Sequence, residues 1–192
     1  MRSRSKPVHI TLHPLVDPLT RLAPPSWLLE FLLKNIPRAL DFTSVSLGPS
    51  LVAPKSAYNY LRGQFRSNLI LDFLRRRSRV GEPFGKALGV MAADAYEESL
   101  NFVFGQAEVG GTYAVIYLDR LAAGADSRLL AVRALKEAVH ELGHTLGLGH
   151  CDDPRCVMSF SNSISDVDRK GWRLCTKCER SISGMSSLAG GV

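Results

Sequence analysis

One stretch constrains this chain more than any other: His140-Glu141-Leu142-Gly143-His144-Thr145-Leu146-Gly147-Leu148-Gly149-His150-Cys151. Residues four apart on a helix share a face, so His140 and His144 project together and can hold one ion at about 2.0–2.1 Å each. Glu141 is next in sequence and points partly sideways. It can reach a water on that ion without taking a coordination place, which suits a general base in metal-assisted hydrolysis. Gly147 is placed to end the helix, because glycine readily takes the left-handed conformation that closes helices. The chain can then turn and bring His150 back to the ion. Three neutral imidazoles leave zinc its full charge and one open position, where the pKa of a water falls to about 7. Three core histidines without an ion would instead need polar partners.

The residues upstream support a long helix. Asp126 or Ser127 can cap its start, and Leu129, Leu130, Val132, Leu135, Val139, Leu142 and Leu146 recur at helical spacing. Arg133, Lys136 and Glu137 count here as good helix formers. Downstream lie all 4 cysteines of the chain, as Cys151-x4-Cys156 and Cys175-x2-Cys178. Such pairs match a four-cysteine structural zinc site. Two disulfides, or a redox dithiol at Cys175 and Cys178, are the alternatives. Arg155, Arg173, Lys177 and Arg180 could offset the negative charge of four thiolates. His150 abuts Cys151, so a metal held by the cysteines would clamp the loop that presents His150.

Met158 follows Cys156 by two positions. The ordered set of the extended histidine motif, Cys151, Cys156, Met158, Cys175 and Cys178 resembles the archaemetzincins, zinc metallopeptidases of the metzincin clan. The stretch from Tyr96 to Leu121 is similar to the family, less specifically. The resemblance implies His140, His144 and His150 as ligands of a catalytic zinc, Glu141 as the base and Met158 as a methionine turn beneath the metal. It implies the four cysteines as ligands of a second, structural zinc, making two zinc ions in all. It also implies an α/β (α+β) fold: a twisted mixed sheet whose antiparallel edge strand, within Phe102–Tyr117, overhangs the cleft. Ser159-Phe160 follows Met158, so the tyrosine that some metzincins place there is missing. The function implied is peptide-bond hydrolysis by a zinc-activated water.

Length and charge fit this reading. A chain of 192 residues allows a subdomain 1–150 carrying sheet and helix, and a small zinc-stabilised C-terminal lobe 151–192. Net charge is +6. A non-catalytic zinc-stabilised binding protein, or a nucleic-acid contact through the basic cysteine lobe, are the competing functions; a peptide or protein substrate is favoured over nucleic acid. Arg75-Arg76-Arg77 reads as a solvated helix end, favoured by the helix dipole. No secretory signal and no membrane span is visible, and cysteines used for zinc suit a reducing cytoplasm. A monomer is expected. Strands are expected at Val8–Leu12, Phe42–Val52 (broken at Gly48-Pro49), Leu88–Ala93, Phe102–Gly105 and Thr112–Leu118. Helices are expected at Trp27–Leu40 (broken near Pro37) and Tyr58–Arg77, with a mobile tail from Ser181. His9 and His13 have no partner motif and are expected to be ordinary strand or loop residues.

Overall fold

The computed structural model describes residues 8–80 and 85–188, with side chains through residue 182. A six-stranded sheet runs in the order β2-β1-β6-β9-β8, with β3 also on β1. Its strands are β1 (Val8–Val16), β2 (Thr43–Leu47), β3 (Leu51–Val52), β6 (Lys86–Met91), β8 (Gly105–Ala107) and β9 (Tyr113–Tyr117). Every pairing is parallel except β8 on β9, which is antiparallel and leaves β8 at the edge. The edge strand therefore lies within Phe102–Tyr117, but the strand expected at Phe102–Gly105 is displaced: residues 102–104 are irregular and β8 covers Gly105–Ala107. A smaller sheet joins β4 (Tyr58–Asn59), β5 (Gln64–Arg66) and β7 (Ala95–Tyr96).

The central strands are buried on both faces, which accounts for their nearly continuous apolar runs. Side chains alternate between two cores. Ile10, Leu12, Leu88, Val90, Ala114 and Ile116 face α1 (Ser26–Ala39) and α3 (Ser127–Thr145). Leu15, Ala87, Met91, Val115 and Tyr117 face α2 (Ser67–Arg77) on the other side. Val157, Met158, Val167, Leu174 and Ile182, all C-terminal to the histidine motif, join the core of α1 and α3. No helix among the described residues is long and apolar enough to cross a membrane.

Three further expectations need correction. Residues 58–77 are not one helix: 58–66 form the hairpin β4–β5, and only Ser67–Arg77 is helical. The divider is Gly63, whose φ of 68° suits a turn and not a helix. Pro37 does not break α1, which runs on through it to Ala39 and ends two residues later. The tail is helical through Leu188 as α5 (Thr176–Leu188), anchored by buried Ile182; residues 189–192 lie outside the described set. The break at Gly48-Pro49 is real and separates β2 from β3. Arg75, Arg76 and Arg77 do end α2. His13 is buried in β1, with Nδ1 near the Pro49 carbonyl and Nε2 near Ser78 Oγ.

Three charged residues that looked like surface helix formers are buried in α3. Arg133, Lys136 and Glu137 are 4%, 7% and 3% exposed. They clamp α4 (Ile164–Arg169) to α3. Arg133 donates to both Asp168 carboxylate oxygens at 2.8 Å and to the carbonyls of Leu121 and Ala123 at 2.9 and 2.8 Å. Lys136 donates to the carbonyls of Val167 and Asp168 at 2.9 Å. Glu137 and Lys170, at the end of α4, form a buried ion pair at 2.8 Å without hydrogen-bond alignment.

Arg133→Met should therefore destabilise the fold by about 2–4 kcal/mol, because it leaves the buried Leu121 carbonyl and the Asp168 carboxylate without their donor. Denaturant titration reads this, and a change within about 0.5 kcal/mol contradicts it. The Arg133 guanidinium also holds the Asp168 carboxyl below its usual range. A depressed folded pKa means that this contribution is present above about pH 4 and is lost as pH falls through the lower folded value. The stability gap between wild type and variant should thus narrow in acid.

Candidate metal centres and cleft

The end of α3 carries the first cluster. Asp126 caps the helix by accepting from the Leu129 N–H at 2.7 Å, and the helix closes at Gly147, whose φ is 91°. That left-handed residue turns the chain so that His150 returns to His140 and His144. The three rings have centroids 4.6, 5.4 and 5.0 Å apart, and one candidate ligand atom from each lies within 4.8 Å of the others.

The hydrogen bonds define the tautomers. His140 Nδ1 lies 2.8 Å from the Val157 carbonyl, and His144 Nδ1 lies 2.8 Å from the Leu148 carbonyl. A carbonyl only accepts, so each Nδ1 carries the hydrogen and each Nε2 presents a lone pair. Those two Nε2 atoms are 3.1 Å apart. Two facing lone pairs need a cation between them. A proton is disfavoured, because burial, then Lys170 and His144, hold His140 well below the usual imidazole range. Two ligands of a tetrahedral zinc at 2.0–2.1 Å lie roughly 3.3 Å apart, so the donor set fits such an ion.

Glu141 is 5% exposed. Burial pushes its carboxyl well above the usual carboxylate range; Glu137, one turn back, adds to this and Lys170 opposes it. Glu141 and the three histidines line a cleft of about 300 Å³. β8 and residues 97–104 form one wall and Phe160–Asn162 the other. Phe160 packs edge-on against His150 at 5.1 Å. Met158 lies directly beneath the histidine helix. A Cβ added at Gly143 would strike its Sδ, so the thioether fills the space that this glycine leaves.

The second cluster is formed by the four cysteines, which are free, with all four Sγ atoms within 4.8 Å of one another. Cys151 lies 3.8 Å from Cys175, and Cys156 lies 3.8 Å from Cys178. Disulfide sulfurs would be about 2.05 Å apart, whereas thiolates around a tetrahedral zinc at 2.3 Å are roughly 3.8 Å apart. The Cys178 N–H chiefly brings the Cys175 thiol down to about 7, while burial pushes Cys156 and Cys178 up. A partly buried set of four thiols can ionise together only around a cation.

The histidines, Glu141, Met158, Gly147 and the cysteines singled out in the sequence are thus brought together as two neighbouring groups. Sequence reasoning missed Glu137, Lys170 and the glycines at 105 and 143. Only Glu137 carried a signal, a second carboxylate one helical turn from Glu141.

The chain as a whole is similar to known proteins. The model of peptidase family M54 matches residues 47–184. An archaemetzincin from Methanocaldococcus jannaschii is 46% identical over 160 residues, covering 81% of this chain and 85% of the relative. One from Archaeoglobus fulgidus is 44% identical over 154 residues, covering 80% and 90%. The crystal structure of the Archaeoglobus fulgidus archaemetzincin complexed with malonate is similar at a TM-score of 0.76 and 38% identity, covering 90% of this chain and 99% of that one. That of the Methanopyrus kandleri archaemetzincin gives 0.80 and 36%, covering 95% and 97%.

Gly143→Ala should destabilise the protein even though alanine is the better helix former by about 1 kcal/mol. Overpacking against Met158 costs about 1–3 kcal/mol. Adding Met158→Ala should recover part of the loss relative to the sum of the single variants, as measured by thermal melting. Strict additivity would show that the two residues do not share this space.

Proposed function

The chain belongs to peptidase family M54 and is a zinc metallopeptidase, and from that premise we propose which of its residues carry the reaction. His140, His144 and His150 hold the catalytic zinc, and Glu141 is the general base. Cys151, Cys156, Cys175 and Cys178 hold a second, structural zinc that stabilises the segment from Cys151 onward as a small lobe. The observation that supports this most is the pair of facing Nε2 lone pairs, 3.1 Å apart, beside a buried carboxylate in the cleft.

A zinc held by His140, His144 and His150 would supply Lewis acidity, polarising a peptide carbonyl and making a water more acidic. The protein's own groups do the rest. The carbonyls of Val157 and Leu148 keep His140 and His144 in the Nδ1–H tautomer. Glu141 takes the proton of the attacking water and passes it to the leaving amine. A substrate peptide adds as a strand along the free edge of β8, above Glu141. Gly110, just beyond β8, donates its N–H to the His144 carbonyl at 2.9 Å, which ties that edge to the ligand helix. A cytoplasmic, monomeric enzyme acting on peptides or proteins fits this reading.

Glu141→Gln should lower kcat by about 10²–10⁴-fold with zinc content unchanged. Cleavage of a peptide library by zinc-loaded protein reads the first, and metal analysis the second. An unaltered rate removes Glu141 from the role.

The two metal groups share the segment from His150 to Met158, and the Cys151 N–H donates to the Met158 carbonyl at 2.9 Å. Cys178→Ala should therefore weaken zinc binding at the histidines by about 10-fold, the scale of a lost supporting contact. Competition with a chromogenic chelator measures it, and unchanged affinity breaks the proposed coupling.

A further inference from the structure

We propose that Gly105, in the edge strand β8, is a positioning residue for Glu141: the space left by its missing side chain holds the carboxylate in its working orientation. This rests on the assignment of Glu141 as the base. A Cβ built on Gly105 would lie 2.6 Å from both Cγ and Oε1 of Glu141 and 2.9 Å from its Cδ. These three atoms are its nearest neighbours, and all belong to one side chain. The backbone does not require glycine there, because Gly105 is not among the residues with positive φ. Gly105 lies within a regular antiparallel ladder, paired with Ile116. Steric room is what the position supplies.

That room matters because the Glu141 carboxyl has no hydrogen-bond partner among the described residues, so packing alone restrains it. A group that accepts a proton on one side and releases it on the other works best without a fixed donor to break at each step. Confinement between α3 and the backbone of β8 restricts the carboxylate without such a bond. It also links the base to substrate, since a peptide pairing along β8 braces the strand that forms the roof over Glu141.

The test uses zinc-loaded full-length protein. Gly105→Ala should keep its fold and zinc content, lower kcat on a cleaved peptide by about 10–100-fold and change KM less than about threefold, because the strand's backbone edge stays intact. Glu141→Asp, which withdraws the carboxylate by one methylene, should cost less kcat in the Gly105→Ala background than in wild type. Melting of Gly105→Ala combined with Glu141→Ala should show a smaller loss than the sum of the single variants. A lowered melting temperature with unchanged kcat, or additive effects in either cycle, overturns the proposal. A wild-type protein that cleaves no peptide overturns the base assignment instead, and the melting cycle still decides whether the two side chains compete for this space.

Discussion

The backbone of Val157 joins the histidine and cysteine clusters. Its carbonyl accepts from His140 Nδ1 at 2.8 Å, and its N–H donates to the Arg173 carbonyl at 3.0 Å, two residues before Cys175. Val157 is fully buried, so neither bond competes with water. One residue thus sets the tautomer of the first histidine with its carbonyl and anchors the chain that leads to the second cysteine pair with its N–H. Cys156 and Met158 flank it, one aimed at the thiol cluster and the other under Gly143. Two hydrogen bonds thus connect the segment before Cys175 to the His140 imidazole.

The arrangement of charge in α3 follows from the same need for a fixed platform. Arg133, Lys136 and Glu137 lie on the side of the helix that meets α4, and all three are buried with partners. Burying charges is costly, and such pairs add little net stability compared with well-packed apolar side chains. They do impose register: a guanidinium fork meeting a carboxylate and two carbonyls tolerates little sliding. The helix that carries His140 and His144 is therefore held by directional contacts at its middle and by a methionine near its end.

Much of the site was legible because metal ligation demands particular residue types at fixed offsets, and the histidine and cysteine patterns meet that demand in sequence. Gly147 was legible for the same reason, since a ligand beyond the helix requires a turn. The edge role of the strand came from the family resemblance, and its bounds were misplaced at Phe102–Gly105, because the three residues Gly105–Ala107 carry no periodic signal of their own. Arg133, Lys136 and Glu137 were misread because charged residues on a helix are normally solvated, and nothing local shows that Asp168 and Lys170 come to meet them. Tyr58–Arg77 was misread because its apolar spacing suits a helix throughout, whereas the left-handed Gly63 and the pairing of β5 with β7 outweigh that preference.

Gly105 and Gly143 show a further kind of information that sequence hides. Each is glycine because a side chain from elsewhere occupies its Cβ position: Glu141 at the first and Met158 at the second. Neither needs an unusual backbone angle. The two contacts lie on different faces of the ligand helix, the first beside the cleft and the second against the segment that follows Cys156. Shape thereby confines Glu141, while the His140 and His144 rings are held by Nδ1–H groups that donate to carbonyls. The atoms that would meet metal, water and substrate remain unbonded within the protein, and the fixed contacts are placed one step behind them.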